Sequence, residues 1–377
     1  MKTPKPIHYL LVLLLACGTT FAKQTNDEKK ESSEAQEKEQ ERKEEEERKE
    51  KQRKAEEEIK QAFPYSFNDI RDNLVIVEHE NGTGSGFIAK MGEHYYIFTN
   101  QHVIFGASKI RFKSVSGKQL HPKKVELSAS RDIARLLLDT DEGLAVSGNI
   151  IMDSPIGVFG NSDGAGVATE LYGKINGIGA DLVEVSADFV SGNSGSPVLN
   201  HDKEVIGIAS YVRFSGNNRS KKGTKFENKT RRFCYRIADS RWVSVNWGKY
   251  NKKYGAPYAE NEQLLRSLET IYNDWDGDVS NRIQLGIDSN RHILSWAETH
   301  NEMTSKYRGQ SKFRSECAKS LETLGGLCKG ASLTTAKLLA SEEKYLTDFL
   351  KDGFKRQANT FHAYEDLNLY ISSLMRR

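Results

Sequence analysis

The chain has 377 residues, with 55 Lys and Arg against 52 Asp and Glu and a formal net charge of +3. So even a balance lacks the strong basic excess of nucleic-acid binders, and no nucleic acid is expected as a partner. The length leaves room for two globular units, but both ends differ in texture from the middle.

Residues 1–22 read as an export signal. Lys2 and Lys5 give a positive start, and the apolar run Ile7 to Ala16 is too short to span a bilayer. Two endings stay open. Thr20-Phe21-Ala22 has small residues at the offsets of ordinary signal cleavage, whereas Leu14-Leu15-Ala16-Cys17 resembles a lipobox that would place a lipid on Cys17 and anchor the chain to a membrane.

Residues 23–62 form a charged linker with almost no apolar residue, so neither a buried face nor a coiled-coil seam can form. Opposite charges recur one helical turn apart, as in Glu39/Lys43, Glu50/Lys54 and Glu56/Lys60. The segment is expected to be a solvated helical stalk or a disordered tail.

From residue 63 to 245 the texture is short β-branched and aromatic runs broken by Gly, Asn and Asp. NLVIVEHE (73–80), GSGFIAK (84–90), YYIFTNQHVI (95–104), KIRFKS (109–114), IARLLLD (133–139), IGVFGN (156–161), DLVEVSA (181–187), GSPVLN (195–200), VIGIASYV (205–212) and RFCYRIA (232–238) read as strands. No helix-length amphipathic segment separates them, which argues for antiparallel all-β barrels. Residues 246–377 turn helical, with apolar residues three and four apart: Leu264, Leu265, Leu268, Ile271 and Tyr272; Ile283, Ile293, Leu294 and Trp296; Leu321 and Leu324; Leu338, Leu339, Tyr345 and Phe349; Phe361, Tyr364, Leu367 and Tyr370. Cys317 and Cys328 are expected either to bridge a helix end to a Gly325-Gly326 loop or to be buried thiols. No Cys/His cluster has zinc spacing, and neither a metal nor a cofactor is expected.

Ser194 sits in Gly192-Asn193-Ser194-Gly195, with Pro197 and an apolar run behind it. A serine hydroxyl becomes a nucleophile only when a base takes its proton. Upstream, His102 ends an apolar strand and Asp132 stands at the mouth of another, giving the order His, Asp, Ser, one of the few known for such a triad. Taken singly, His102 reads as a structural histidine, Asp132 as a strand cap and Ser194 as a turn residue; together they read as a catalytic set. Three decoys drop out. Ser162 lacks the following glycine and proline, GTGSG (82–86) is followed by a strand rather than a helix, and DWDGD (274–278) has Leu285 where a calcium loop needs Glu.

In sequence order, GSGFI (84–88), TNQHV (99–103), DIARL (132–136), GVFGN (157–161), GNSGSPV (192–198) and VIGIAS (205–210) resemble the trypsin-like serine peptidases of the chymotrypsin fold, in their glutamyl-endopeptidase and HtrA-type bacterial branches. The likeness covers residues 65–213 and includes no recognisable PDZ domain. It implies an all-β double β-barrel peptidase domain, preceded here by the charged stalk and followed by the α-helical segment. It further implies His102 as general base, Asp132 as its orienting carboxylate, Ser194 as nucleophile, and the backbone N–H groups of Gly192 and Ser194 as oxyanion hole. Counting back from Ser194, Asp188 falls where trypsin-like enzymes receive Lys or Arg, with a solvent-facing loop residue as the alternative. Ser210, Tyr211 and Val212 resemble the pocket wall, and Val212 replaces a glycine that usually keeps the pocket open. Ala209 stands where the glutamyl-specific branch has histidine.

The basic insert RSKKGTKFENKTRR (219–232) reads as a solvated loop or an exosite for an anionic partner. The expectation is an exported serine endopeptidase acting on protein or peptide, with a non-catalytic envelope adaptor as the alternative. Oligomeric state is not legible.

Overall fold

The structure is a computed structural model. It describes residues 39–275 and 311–376, apart from 41, 44–45, 48, 52, 81, 215–223 and 225–229. The export segment with Cys17, the positions Ile283, Ile293, Leu294 and Trp296, and most of the basic insert lie outside the described residues. The chain divides into two compact units, Met1–Ala62 and Phe63–Arg377.

In the first unit, the described residues from 39 to 62 are helical. Glu39 meets Lys43 at 3.6 Å and Arg42 at 3.0 Å, and Glu50 meets Lys54 at 2.8 Å, as expected from charges one turn apart. These partners all stay in water, so the helix is held by local pairing and backbone bonds rather than by a core.

The second unit begins with strands whose burial explains their order. Leu74 to Val77 of β1 (Leu74–His79) are buried on both faces, whereas β7 (Ala134–Leu138) alternates, with Ala134, Leu136 and Leu138 inward. These strands join β2 (Gly82–Met91), β3 (His94–Thr99), β4 (Ile110–Ser114), β5 (Gln119–Leu120), β6 (Val125–Ser128) and β14 (Trp242–Val245) in one eight-stranded sheet, ordered β14-β6-β7-β3-β2-β1-β4-β5. The remaining strands close into a six-stranded barrel ordered β10-β13-β12-β11-β8-β9: β8 (Pro155–Gly160), β9 (Thr169–Ile178), β10 (Leu182–Val185), β11 (Pro197–Leu199), β12 (Val205–Phe214) and β13 (Thr230–Arg236). Every strand pair is antiparallel. The chymotrypsin-like all-β architecture with helices C-terminal to it is therefore as the sequence implied. The expected strands omitted the ten-residue β9, whose Gly173, Lys174, Asn176 and Gly177 hide its alternation.

Behind the strands come α2 (Trp247–Tyr250), a π-helical turn (Asn251–Gly255), α3 (Ala256–Trp275), α4 (Ser311–Glu342) and α5 (Asp348–Met375), numbered after the one-turn α1 (Gln101–Ile104). Part of this helical segment shares a core with the first sheet. Val75, Val77, Ile97, Leu127 and Leu136 pack in one cluster with Phe105, Tyr254, Tyr258, Leu350 and Phe354. Burying one such side chain contributes about 1.5–3 kcal/mol, so the shared core outweighs any single polar contact between sheet and helices. A second cluster, with Leu265, Leu268, Leu321, Phe361, Tyr364 and Leu367, holds α3, α4 and α5 to one another.

The Cys317–Cys328 bridge does not form. Both residues lie on α4, which runs unbroken through Gly325 and Gly326 where a loop was expected, and Cys328 is a buried free thiol. Eleven residues of helix separate Cα atoms by about 16 Å, far beyond the roughly 4.4–6.8 Å a disulfide spans. Among the described residues no helix is long and apolar enough to cross a membrane.

Candidate active site

His102 is not at the strand end that its sequence context suggested. Strand β3 stops at Thr99, whose hydroxyl donates to the Ser85 carbonyl at 2.7 Å, and extended Asn100 starts the single turn of α1 that carries His102. Asn100 is buried, and its side-chain amide donates to the Asp132 carbonyl at 2.6 Å. The histidine's helix is thus tied to the aspartate's loop before the two side chains meet.

Asp132 lies between β6 and β7 and is 3 % exposed. Its Oδ1 accepts the His102 backbone N–H at 3.1 Å. Its Oδ2 lies 2.5 Å from His102 Nδ1 and accepts the Ser210 hydroxyl at 3.1 Å. A buried carboxylate is costly unless its oxygens are satisfied, and here three donors converge on it. Burial disfavours charge on His102, but the charge and hydrogen bond of Asp132 outweigh it and raise the imidazole pKa above its ordinary value. With Nδ1 given to Asp132, Nε2 is the nitrogen left for proton transfer.

Ser194 stands on the turn between β10 and β11, and two glycines make that turn possible. Gly192 and Gly195 have φ of +89° and +92°. A Cβ at Gly192 would come within 2.3 Å of the Asn161 carbonyl oxygen, and one at Gly195 within 2.0 Å of the Ser85 carbonyl oxygen. No side chain fits either place. The turn is pinned by Ser85 N–H donating to the Ser194 carbonyl at 2.9 Å, Asn193 N–H to Val190 and Gly195 N–H to Ala209. The N–H groups of Gly192 and Ser194 find no acceptor among the described residues. Two such donors beside a serine can bind an oxyanion.

The Ser194 hydroxyl donates to the Ser210 carbonyl at 3.2 Å, and no hydrogen bond joins it to His102. Ser210, expected in a pocket wall, also touches both Asp132 and Ser194. A bulge between Ala209 and Tyr211 turns the buried Ser210 side chain onto Asp132 while its carbonyl faces Ser194. Tyr211 stacks on Phe233 with ring centroids 5.1 Å apart, and Val212 beside it is exposed. Asp188 does not present a lone carboxylate to a basic substrate. Arg232 of β13 pairs with it and also donates to the Phe189 carbonyl at 2.8 Å. A guanidinium from the chain itself meets the charge that the resemblance would reserve for Lys or Arg.

His102 and Ser194 open into a cleft of about 890 Å³. One wall is Gly192 and the β1–β2 turn; the other is α3, through Tyr258, Glu262 and Arg266. Sequence reasoning placed α3 in a separate helical segment and gave no hint that it borders this cleft. Nor did it find Gln101, Asn251 or Thr347, buried polar residues that join the helices to the His102 and Asp132 loops. Gln101 lies inside the TNQHV motif, but its distant partners leave no local signal.

Residues 84–208 match the family model described as a trypsin-like peptidase domain. The chain is 30% identical over 146 residues to a probable periplasmic serine endoprotease, DegP-like, of Halomonas elongata, a match covering 36% of this chain and 30% of that one. It is 28% identical over 151 residues to the serine protease Do-like HtrA of Bacillus subtilis, covering 35% of this chain and 34% of that one. A solved serine endoprotease from Yersinia pestis overlaps 46% of this chain and 64% of its own, with 23% identity and a TM-score of 0.36. The chain spans about a third of the length of the curated relatives it matches. Over residues 84–208 the chain is thus similar to the trypsin-like peptidase domain family.

Proposed function

We propose that the chain is a serine endopeptidase of the cell envelope, with His102, Asp132 and Ser194 as its catalytic set. The observation that carries the reading is the His102–Asp132 pair, 2.5 Å apart, opening on the same cleft as a serine held on a turn that only glycines permit. In this reading Ser194 Oγ turns from the Ser210 carbonyl to His102 Nε2 and attacks the scissile carbonyl carbon as its proton passes to Nε2. The Gly192 and Ser194 N–H groups hold the oxyanion; collapse breaks the C–N bond, and the proton on Nε2 leaves with the amine. Water then repeats the sequence on the acyl-enzyme. Asp132 keeps the Nδ1 proton in place and stabilises the imidazolium without itself being protonated.

Export is proposed from residues 1–22 and from relatives named as periplasmic, with either cleavage near Ala22 or a lipid on Cys17. Protein or peptide is the proposed substrate class. The second reading, a non-catalytic envelope adaptor, is favoured by one observation, the Ser194 hydroxyl bonded to Ser210 rather than to His102. Hydrolysis of a fluorescein-labelled casein separates the two. The peptidase reading expects turnover by the wild type and a loss on the order of 10⁶-fold in Ser194→Ala. A folded wild type no faster than Ser194→Ala supports the adaptor.

A further inference from the structure

The Gln101 side chain is fully buried one residue before His102. Its Nε2 donates to the Ser128 carbonyl at 3.0 Å and to the Arg131 carbonyl at 2.8 Å, the two ends of the turn that leads into Asp132. Its Oε1 accepts the hydroxyl of Thr347 at 3.0 Å. Two carbonyls on one side and a hydroxyl on the other fix the orientation of the amide and use both its donors. One side chain therefore fastens the helix of His102 to the turn of Asp132.

Thr347 is 246 residues away in sequence and caps α5, with its carbonyl accepting the Lys351 N–H at 3.0 Å. The next residue grips the same turn, because the Asp348 N–H donates to the Ala129 carbonyl at 2.8 Å. On the far side of α1, Asn251 accepts the Gly106 N–H at 2.9 Å and donates to the Ala107 carbonyl at 2.8 Å. Phe105 between them stacks on Trp247 and Phe349. The loops of His102 and Asp132 are gripped from both sides by the helical segment, through buried polar contacts that cost more to leave unmade than an exposed bond would.

We propose that Thr347 and Gln101 are positioning residues, through which the C-terminal helices hold the His102 imidazole and the Asp132 carboxylate in register. The helical segment is then part of the catalytic apparatus rather than an appended module. The inference rests on the peptidase reading for its kinetic consequence, but its geometric content stands apart from it.

The test uses the full chain and reads both the His102 Nδ1 proton shared with Asp132, by ¹H NMR, and kcat and KM on a peptide substrate. Thr347→Val keeps the side-chain volume and removes the hydroxyl. The expected result is loss or broadening of the downfield resonance, with kcat lower by about 10–100-fold and KM changed by less than about twofold. Thr347→Ser restores both. Ser332→Ala removes a bond to the Ala358 carbonyl elsewhere between α4 and α5, so it should lower Tm while leaving resonance and kcat alone. A folded Thr347→Val with wild-type resonance and wild-type kcat overturns the proposal. Should Thr347→Val fail to fold, Asp348→Pro removes the backbone donor to Ala129, since proline suits the first position of a helix, and Asp348→Ala accounts for the Lys351 ion pair lost with the carboxylate; the same two outcomes, read as Asp348→Pro against Asp348→Ala, then decide. A wild type without peptidase activity whose resonance still vanishes in the variant would remove the peptidase reading and keep the brace. An active wild type indifferent to these substitutions would do the reverse.

Discussion

His102 and Asp132 set the pH behaviour expected of the site. The folded pKa of His102 lies above the ordinary imidazole value of about 6.5; burial opposes the charge, Asp132 and the cleft residue Glu262 favour it, and Arg266 opposes it. A raised pKa means that the pair stabilises the fold most below the unfolded pKa, and that this stability is lost as pH rises through the folded one. Activity in the proposed reading runs the other way, because only a neutral imidazole could accept the Ser194 proton. The acid limb of kcat/KM is therefore expected above pH 6.5, and in Asp132→Asn it should move to lower pH while kcat falls by ~10⁴-fold. An unmoved acid limb in that variant would show that the imidazole is not controlled by Asp132. At Asp188 the ion pair with Arg232 implies no special reception of Lys or Arg. Profiling with a mixed peptide library should give the same P1 pattern for wild type and Asp188→Ala; loss of cleavage after basic residues would refute this.

At the scale of single elements, the turn 192–195 leaves no room for a side chain at either of its glycines. Gly195→Ala should cost about 2–4 kcal/mol, read as a lower denaturation midpoint, because its Cβ would meet the Ser85 carbonyl. A Gly195→Ala chain of wild-type stability and activity would mean that the turn is not held as described. This turn was legible in the sequence because Gly, Ser and Pro act locally. Strand β10 before it was legible because burial imposes alternation, with Val183 and Val185 inward. Where burial and chemistry were not local, legibility failed. Strand β9 hides its period behind glycines and polar residues, and His102 moved from a strand end to α1 because Asn100, its amide fastened to the distant Asp132 carbonyl, starts a new turn. Ser210 joined Asp132 because a bulge rotated it. Helix α4 swallowed Gly325 and Gly326 because packing against α5 outweighs glycine's modest helix penalty of about 1 kcal/mol each.

For the whole molecule, the shared core makes the peptidase segment dependent on the helices C-terminal to it. Phe105, Leu127 and Leu136 are covered in one cluster with Tyr254, Tyr258, Leu350 and Phe354. A chain ended at residue 245 should expose this face, lose cooperative thermal unfolding and aggregate; a soluble 63–245 fragment with a sharp Tm would show that the helices are dispensable. The central claim, that one serine is activated as a nucleophile, is tested most directly by treating the folded chain with a fluorophosphonate and mapping the adduct by peptide mass spectrometry. A single adduct on Ser194 that disappears in His102→Ala is expected. A folded wild type that takes up no label, or labels at another serine such as Ser162 or Ser210, would contradict it.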